Sequence, residues 1–160
     1  MKKKFFIGLF IFAAIGLFTF AHFVLKQNEI QNYNNQAALN APIDIPPTGI
    51  LNYEEAIKTN KPILAMFYVD WCTYCRKYMP IFAEFSILFK DKFSFVAVNC
   101  ENPQYENLAK EYGIMGYPTI YIIDKKLDFE YAVNNVNLID KKRMVQELEK
   151  YLKLRDKALN

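Results

Sequence analysis

From Pro62 to Val69 the chain reads Pro-Ile-Leu-Ala-Met-Phe-Tyr-Val, with no charged side chain. A strand with one wet face alternates apolar and polar residues. A run this continuous reads as a strand buried on both faces, and so needs a layer packed on each side of its sheet. Phe93–Val98 is a second such strand. Helical patterns lie between and around them: Tyr53–Thr59 with Asn52 as N-cap, Cys75–Phe89, Gln104–Tyr112 ended by Gly113, and Asp140–Leu154 capped by Asp140. Thr119–Ile123 and Phe129–Val133 read as strands joined by the polar turn Asp124–Asp128. The resulting order, α-β-α-β-α-β-β-α, predicts an α/β fold: a mixed β-sheet flanked by helices.

The first quarter of the chain has a different character. Three lysines (Lys2, Lys3 and Lys4) precede an apolar run from Phe5 to Leu25, interrupted only by Gly8, Gly16, Thr19 and His22. About 20 helical residues span the ~30 Å hydrocarbon core of a bilayer. The expectation is one N-terminal transmembrane helix over 5–25, an uncleaved signal-anchor. Residues 1–4 would stay cytoplasmic and the C-terminal bulk would face the periplasm or cell exterior. A cleaved signal peptide competes with this reading, but its apolar stretch is shorter, and Thr19-Phe20-Ala21 is a poor small-x-small site. His22 sits at the far edge of the run, as an interfacial side chain. Residues 26–48 are rich in Asn and Gln and end in Pro42, Pro46 and Pro47, which predicts a linker, flexible first and stiffer near the prolines. The domain then occupies 49–157.

Charge and residue counts exclude several functions. Twenty basic residues against 17 acidic ones give +3, and the three leading lysines alone supply that surplus. The remainder is balanced, so no basic face for nucleic acid is expected. His22 is the single histidine, which removes Ser-His-Asp and Cys-His catalysis and His-ligated zinc from the domain. Thiol and carboxylate chemistry remain.

The thiols are Cys72, Cys75 and Cys100. Cys72-Thr73-Tyr74-Cys75 lies where a strand gives way to a helix, so the first sulfur meets outward-pointing helix N–H groups that favour a thiolate. Arg76 and Lys77 reinforce that effect and Asp70 opposes it. Cys72 is then the nucleophile and Cys75 the resolving thiol. Zinc needs a second ligand pair, and haem attachment needs a histidine where Arg76 stands, so neither metal nor cofactor is expected. A static structural disulfide is the main alternative. Cys100 reads as a semi-buried small hydrophobe, against the alternatives of a third redox thiol or an intermolecular partner.

Trp71-Cys72-x-x-Cys75, Asn99…Asn102-Pro103 and Tyr112-Gly113-Ile114-x-Gly116-Tyr117-Pro118-Thr119 together resemble the thioredoxin superfamily across about Leu51–Leu154. Tyr53-Glu54-Glu55-Ala56-Ile57 and Lys61-Pro62-Ile63-Leu64 resemble the thioredoxin-like domains of membrane-linked thiol:disulfide interchange proteins. The resemblance implies that Pro118 is cis and faces the cysteine pair. It also implies that the Tyr117 backbone pairs with an extended substrate, with Trp71 and Tyr117 flanking the groove. Thr73 and Tyr74, in place of Gly-Pro, would tune the redox poise. Two positions depart from the family pattern. Met66 stands where thioredoxins bury an acidic residue beneath the pair, and Val96 stands where a lysine accompanies it. These departures put the proton path in doubt, with Glu101 or a water as substitutes. The implied function is an extracytoplasmic, membrane-anchored thiol:disulfide oxidoreductase that reduces disulfides in exported proteins and is recharged by a membrane redox partner. The rivals are a binding or chaperone-like module with a locked disulfide and a copper-delivery protein, the latter disfavoured by the absence of a domain histidine.

Overall fold

The structure, a computed structural model, describes residues 20–32, 41–45, 49–138 and 140–160. The chain divides into two compact units, Met1–Ala41 and Pro42–Asn160. In the first, residues 20–32 form an exposed helix that runs through the expected boundary between anchor and linker at 25/26. Most of the expected span, residues 5–19, lies outside the described residues, and none of the described helices is long and apolar enough to cross a membrane.

The second unit is a five-stranded sheet with helices on both faces. Numbered from the start of this unit, the elements are β1 (Ile50–Leu51), α1 (Tyr53–Ala56), β2 (Ile63–Tyr68), α2 (Thr73–Leu88), β3 (Ser94–Asn99), a 3₁₀ turn (Pro103–Tyr105), α3 (Glu106–Glu111), β4 (Thr119–Asp124), β5 (Phe129–Ala132), α4 (Asn135–Leu138) and α5 (Lys141–Leu159). The strand order is β1-β3-β2-β4-β5. β3 is parallel to both β1 and β2, whereas β4 is antiparallel to both β2 and β5.

The apolar run is central, and all six residues of β2 are buried. Its side chains divide by the strand's period of two. Leu64, Met66 and Tyr68 join Phe95, Ile120 and Ile122 under α2 and α5, with Tyr78, Met79, Phe82, Met144 and Leu148. Ile63, Ala65 and Phe67 join Val96, Val98, Ala56 and Tyr112 on the other face. The two-sided covering expected from the sequence is therefore present.

The expected caps are formed. Asn52 accepts from Glu55 N at 2.8 Å, and Asp140 accepts from Lys142 N and Arg143 N at 2.9 and 3.2 Å. Gly113 adopts φ +58°, the left-handed conformation that closes α3. Three details differ from the sequence reading. Gln104–Tyr112 is not one helix, because the turn opening at Pro103 is a 3₁₀ segment capped by Asn102. β1 and α4 are additional short elements, with no periodic pattern long enough to announce them. The compact unit also begins at Pro42 rather than Gly49, because Ile43 is buried in the core beneath α2 and Ile45 packs against it. Its apolar side chains hold this end of the linker to the domain.

Candidate active site

β2 ends at Tyr68, and the chain enters α2 at Thr73. Val69–Cys72 is thus a short loop at the carboxyl end of a central strand, closed by Cys72 N–H donating to Val69 O at 3.2 Å. Cys72 is the N-cap of α2, with φ −77° and ψ 107°, and its Sγ accepts from the Cys75 N–H at 3.1 Å. The sulfur thus occupies the position at which helix N-termini stabilise negative charge. The two cysteines are joined as a disulfide, with Cα atoms 5.2 Å apart. Cys75 is fully buried, while Cys72 keeps 6% of its surface exposed. Of the two, Cys72 is the one that retains solvent-exposed surface.

The Tyr117–Pro118 peptide bond is cis, as the resemblance implied. Trp71 is exposed, and its ring meets Tyr117 edge-on with centroids 6.2 Å apart. Beside the pair lies a groove of about 410 Å³ lined by Tyr74, Lys77, Tyr78, Ile81, Tyr117, Pro118 and Leu138. The structure therefore brings Tyr74, Tyr117 and Pro118 to one groove and Trp71 to the Tyr117 ring, with Tyr117 packed against the core cluster that holds Cys72 and Cys75. Thr73 and Tyr74 form the first turn of α2 between the cysteines and are exposed. Tyr78, Ile81 and Leu138 were not singled out from the sequence. Tyr78 and Ile81 lie at helical spacing from Tyr74, a signal that could have found them.

Met66 is fully buried among apolar side chains in the cluster that holds Cys72 and Cys75, so the departure noted in the sequence is a real change of environment on that face, whereas Val96 is fully buried on the opposite face of the sheet, away from the pair. Glu101, the suggested substitute, has its carboxylate engaged by the Asp70 N–H at 2.7 Å. Cys100 is a free, half-buried thiol that packs against both core clusters, which fits the small-hydrophobe reading. Burial pushes its pKa up and the Glu101 charge adds to that, while hydrogen bonds involving Tyr117 and the Tyr68 backbone offset part of the rise. Among the described residues no three His, Cys, Asp or Glu side chains converge to hold a metal ion.

Comparison with known proteins agrees with this geometry. The family model described as thioredoxin matches residues 48–150. A thioredoxin of Griffithsia pacifica is 35% identical over 103 residues, which cover 63% of this chain and 88% of that protein. The chloroplastic thioredoxin-like protein HCF164 of Arabidopsis thaliana is 34% identical over 99 residues, 56% of this chain but 38% of that protein. Protein disulfide-isomerase A5 of Bos taurus is 37% identical over 75 residues, 46% of this chain and 14% of that protein. The chain thus spans well under half the length of these last two relatives. The solution structure of a thioredoxin from Thermus thermophilus superposes with a TM-score of 0.54 at 19% identity, covering 64% of this chain and 87% of that one. At that identity the likeness concerns the fold alone.

Proposed function

Because the chain belongs to the thioredoxin family and carries that family's Cys-x-x-Cys pair, we propose that it is a membrane-anchored, extracytoplasmic thiol:disulfide oxidoreductase. It reduces disulfides in exported proteins. The observation that carries the chemistry is Cys72: an N-cap sulfur bonded to Cys75, in a domain that also holds the Tyr117–Pro118 bond cis. In the reducing direction the Cys72 thiolate attacks one sulfur of a substrate disulfide. A mixed disulfide forms and one substrate thiolate leaves. Cys75, after losing its proton, attacks Cys72 Sγ, which releases the second substrate thiolate and re-forms the Cys72–Cys75 disulfide. The two substrate thiolates take up protons from solvent, and a membrane dithiol partner returns the protein to the reduced state with two electrons and two protons.

Trp71, Tyr117 and Pro118 form the substrate-binding surface in this reading. Pro118 has no N–H of its own, so the Tyr117 backbone is available to pair with an extended substrate segment. Thr73 and Tyr74 tune the poise of the pair. The anchor and the outward orientation rest on the Lys2–Lys4 cluster ahead of the apolar run 5–25.

The purified, reduced protein is expected to turn over a disulfide-bonded protein substrate, with all turnover lost in Cys72→Ser. In cells, Cys75→Ser is expected to accumulate mixed disulfides through Cys72. Absence of both outcomes would leave the binding-module reading in place. A midpoint potential near −270 mV supports a reductant, and one near −120 mV an oxidant. Labelling of Cys72 in intact cells by a membrane-impermeant thiol reagent tests the outward orientation.

A further inference from the structure

Asp70 sits two residues before the reactive sulfur and commits each of its polar groups to a different part of the domain. Its N–H donates to Glu101 Oε2 at 2.7 Å. Its carbonyl accepts from Arg76 Nη2 at 2.5 Å. Its carboxylate is divided: Oδ2 accepts from Asn99 Nδ2 at 2.9 Å, and Oδ1 accepts from the Ile43 backbone N–H at 2.8 Å. Asn99 Oδ1 in turn accepts from the Glu101 N–H at 2.9 Å. Asp70, Asn99 and Glu101 therefore close a ring of hydrogen bonds between the reactive loop and the end of β3. Ile43 attaches to that ring from the segment through which the chain enters the domain. Ile43 is 8% exposed and shares its core cluster with Cys72 and Cys75. A buried N–H needs an acceptor, and Asp70 is the one this segment has.

We propose that Asp70 is a positioning residue for Cys72, and that the lead-in segment Pro42–Ile45 is part of the support of the active site rather than a passive tether. The inference rests on the thiol–disulfide reading above. The carboxylate touches neither sulfur. It holds the Val69–Cys72 loop between two fixed bodies, the end of β3 and the docked lead-in, and so determines where Cys72 Sγ stands relative to an incoming disulfide.

The hydrogen-bond polarity supplies a direct test in the full-length protein. In Asp70→Asn the carboxamide can keep the Ile43 contact through its oxygen, but it then turns an NH₂ group towards the Asn99 NH₂. Donor meets donor and the ring opens. In the double variant Asp70→Asn/Asn99→Asp the polarity of that contact is reversed: the carboxamide now on the loop donates, and the carboxylate now on β3 accepts. That carboxylate still accepts from the Glu101 N–H, the carboxamide oxygen still accepts from Ile43, and the net charge is unchanged.

For reduction of a disulfide-bonded protein, Asp70→Asn is expected to lower kcat about tenfold with KM within about twofold, because displacement of reacting groups is felt mainly in the chemical step. The pH midpoint of Cys72 alkylation, read by peptide mass spectrometry, is expected to move in the same variant. The double variant is expected to recover most of kcat and the wild-type midpoint. Ile43→Pro, which removes the N–H, should move both readouts as Asp70→Asn does, and Ile43→Val, which keeps the N–H and nearly all of the buried side chain, should not. If Asp70→Asn fails to fold, the Ile43 pair and the double variant carry the test alone. The proposal is overturned by a folded Asp70→Asn with wild-type kcat and midpoint, by no rescue in the double variant, or by Ile43→Pro matching Ile43→Val. A wild-type protein without turnover would instead refute the proposed function. The Cys72 midpoint would still report on positioning, so the two failures are distinguishable.

Discussion

Asp124 ends β4 with its side chain 2% exposed, and the Arg155 guanidinium answers its charge. Oδ2 accepts from Tyr151 OH at 2.7 Å and from Arg155 Nε at 2.5 Å, while Oδ1 accepts from the Lys126 N–H at 3.0 Å. Burial pushes the Asp124 carboxyl up, but the hydrogen bonds from Tyr151, Arg155 and Lys126, with the Arg155 charge, outweigh it and hold the group below the ordinary carboxylate range. Arg155→Met keeps the length and apolar bulk of the side chain and removes the cation. A buried charge that loses its partner costs ~3–5 kcal/mol. The two neutral donors that remain place the expected loss near the lower limit, about 3 kcal/mol. For a domain of this size, with about 4 °C per kcal/mol, Tm should fall by roughly 12 °C.

The pH dependence gives a second signature. In the wild type the folded-state pKa of Asp124 is depressed. Its stabilisation is therefore fully present above the unfolded value and is lost as pH falls through the folded one. In Arg155→Met the two neutral donors that remain no longer outweigh burial and the folded pKa rises above the unfolded value, so protonation stabilises the variant. Urea or thermal unfolding of the oxidised protein from pH 7 down to pH 4 should show the gap between the two narrowing. Asp124→Asn/Arg155→Met, with no charge to strand, should be milder than Arg155→Met alone. A deficit under about 1 kcal/mol at pH 7, or a gap that widens in acid, would refute the reasoning. β4 begins at Thr119, next to Pro118, so Asp124 lies about 17 Å along the strand from the redox site. The folded variant should keep its Cys72 chemistry.

Two further outcomes follow from the same structure. The native oxidised protein should take up at most one alkyl group, on Cys100, and Tyr117→Phe should slow that reaction further by removing a hydrogen bond that favours the thiolate; mass spectrometry after alkylation at pH 8–9 reads both. Phe82 is fully buried against Phe95 with ring centroids 5.3 Å apart, so Phe82→Ala should cost ~3–5 kcal/mol in urea unfolding.

Much of this arrangement is written in short-range pattern. The unbroken apolar run Ile63–Tyr68 specifies a strand covered on both faces, because side chains alternate across the pleat and none of these six can face water. Asn52, Asp140 and Gly113 mark helix ends because a cap joins groups only a few residues apart. Cys72 and Cys75 announce thiol chemistry for the same reason: one turn of helix brings the first sulfur to the N–H of the second cysteine.

The sheet order decides what short-range pattern cannot. Setting β3 beside β2 brings Asn99 and Glu101 to Asp70 across 29 and 31 positions, and docking of the lead-in brings Ile43 there across 27. Asp124 and Arg155, 31 positions apart, meet only because α5 packs back over the sheet. Before folding, Asp70 reads as a charge opposing the thiolate and Ile43 as part of a loose linker. Sequence alone determines periodicity, caps and the reactive pair, since those depend on neighbours one turn or one pleat away. Which polar group meets which across the domain depends on burial against a particular partner, and only the folded chain supplies that partner.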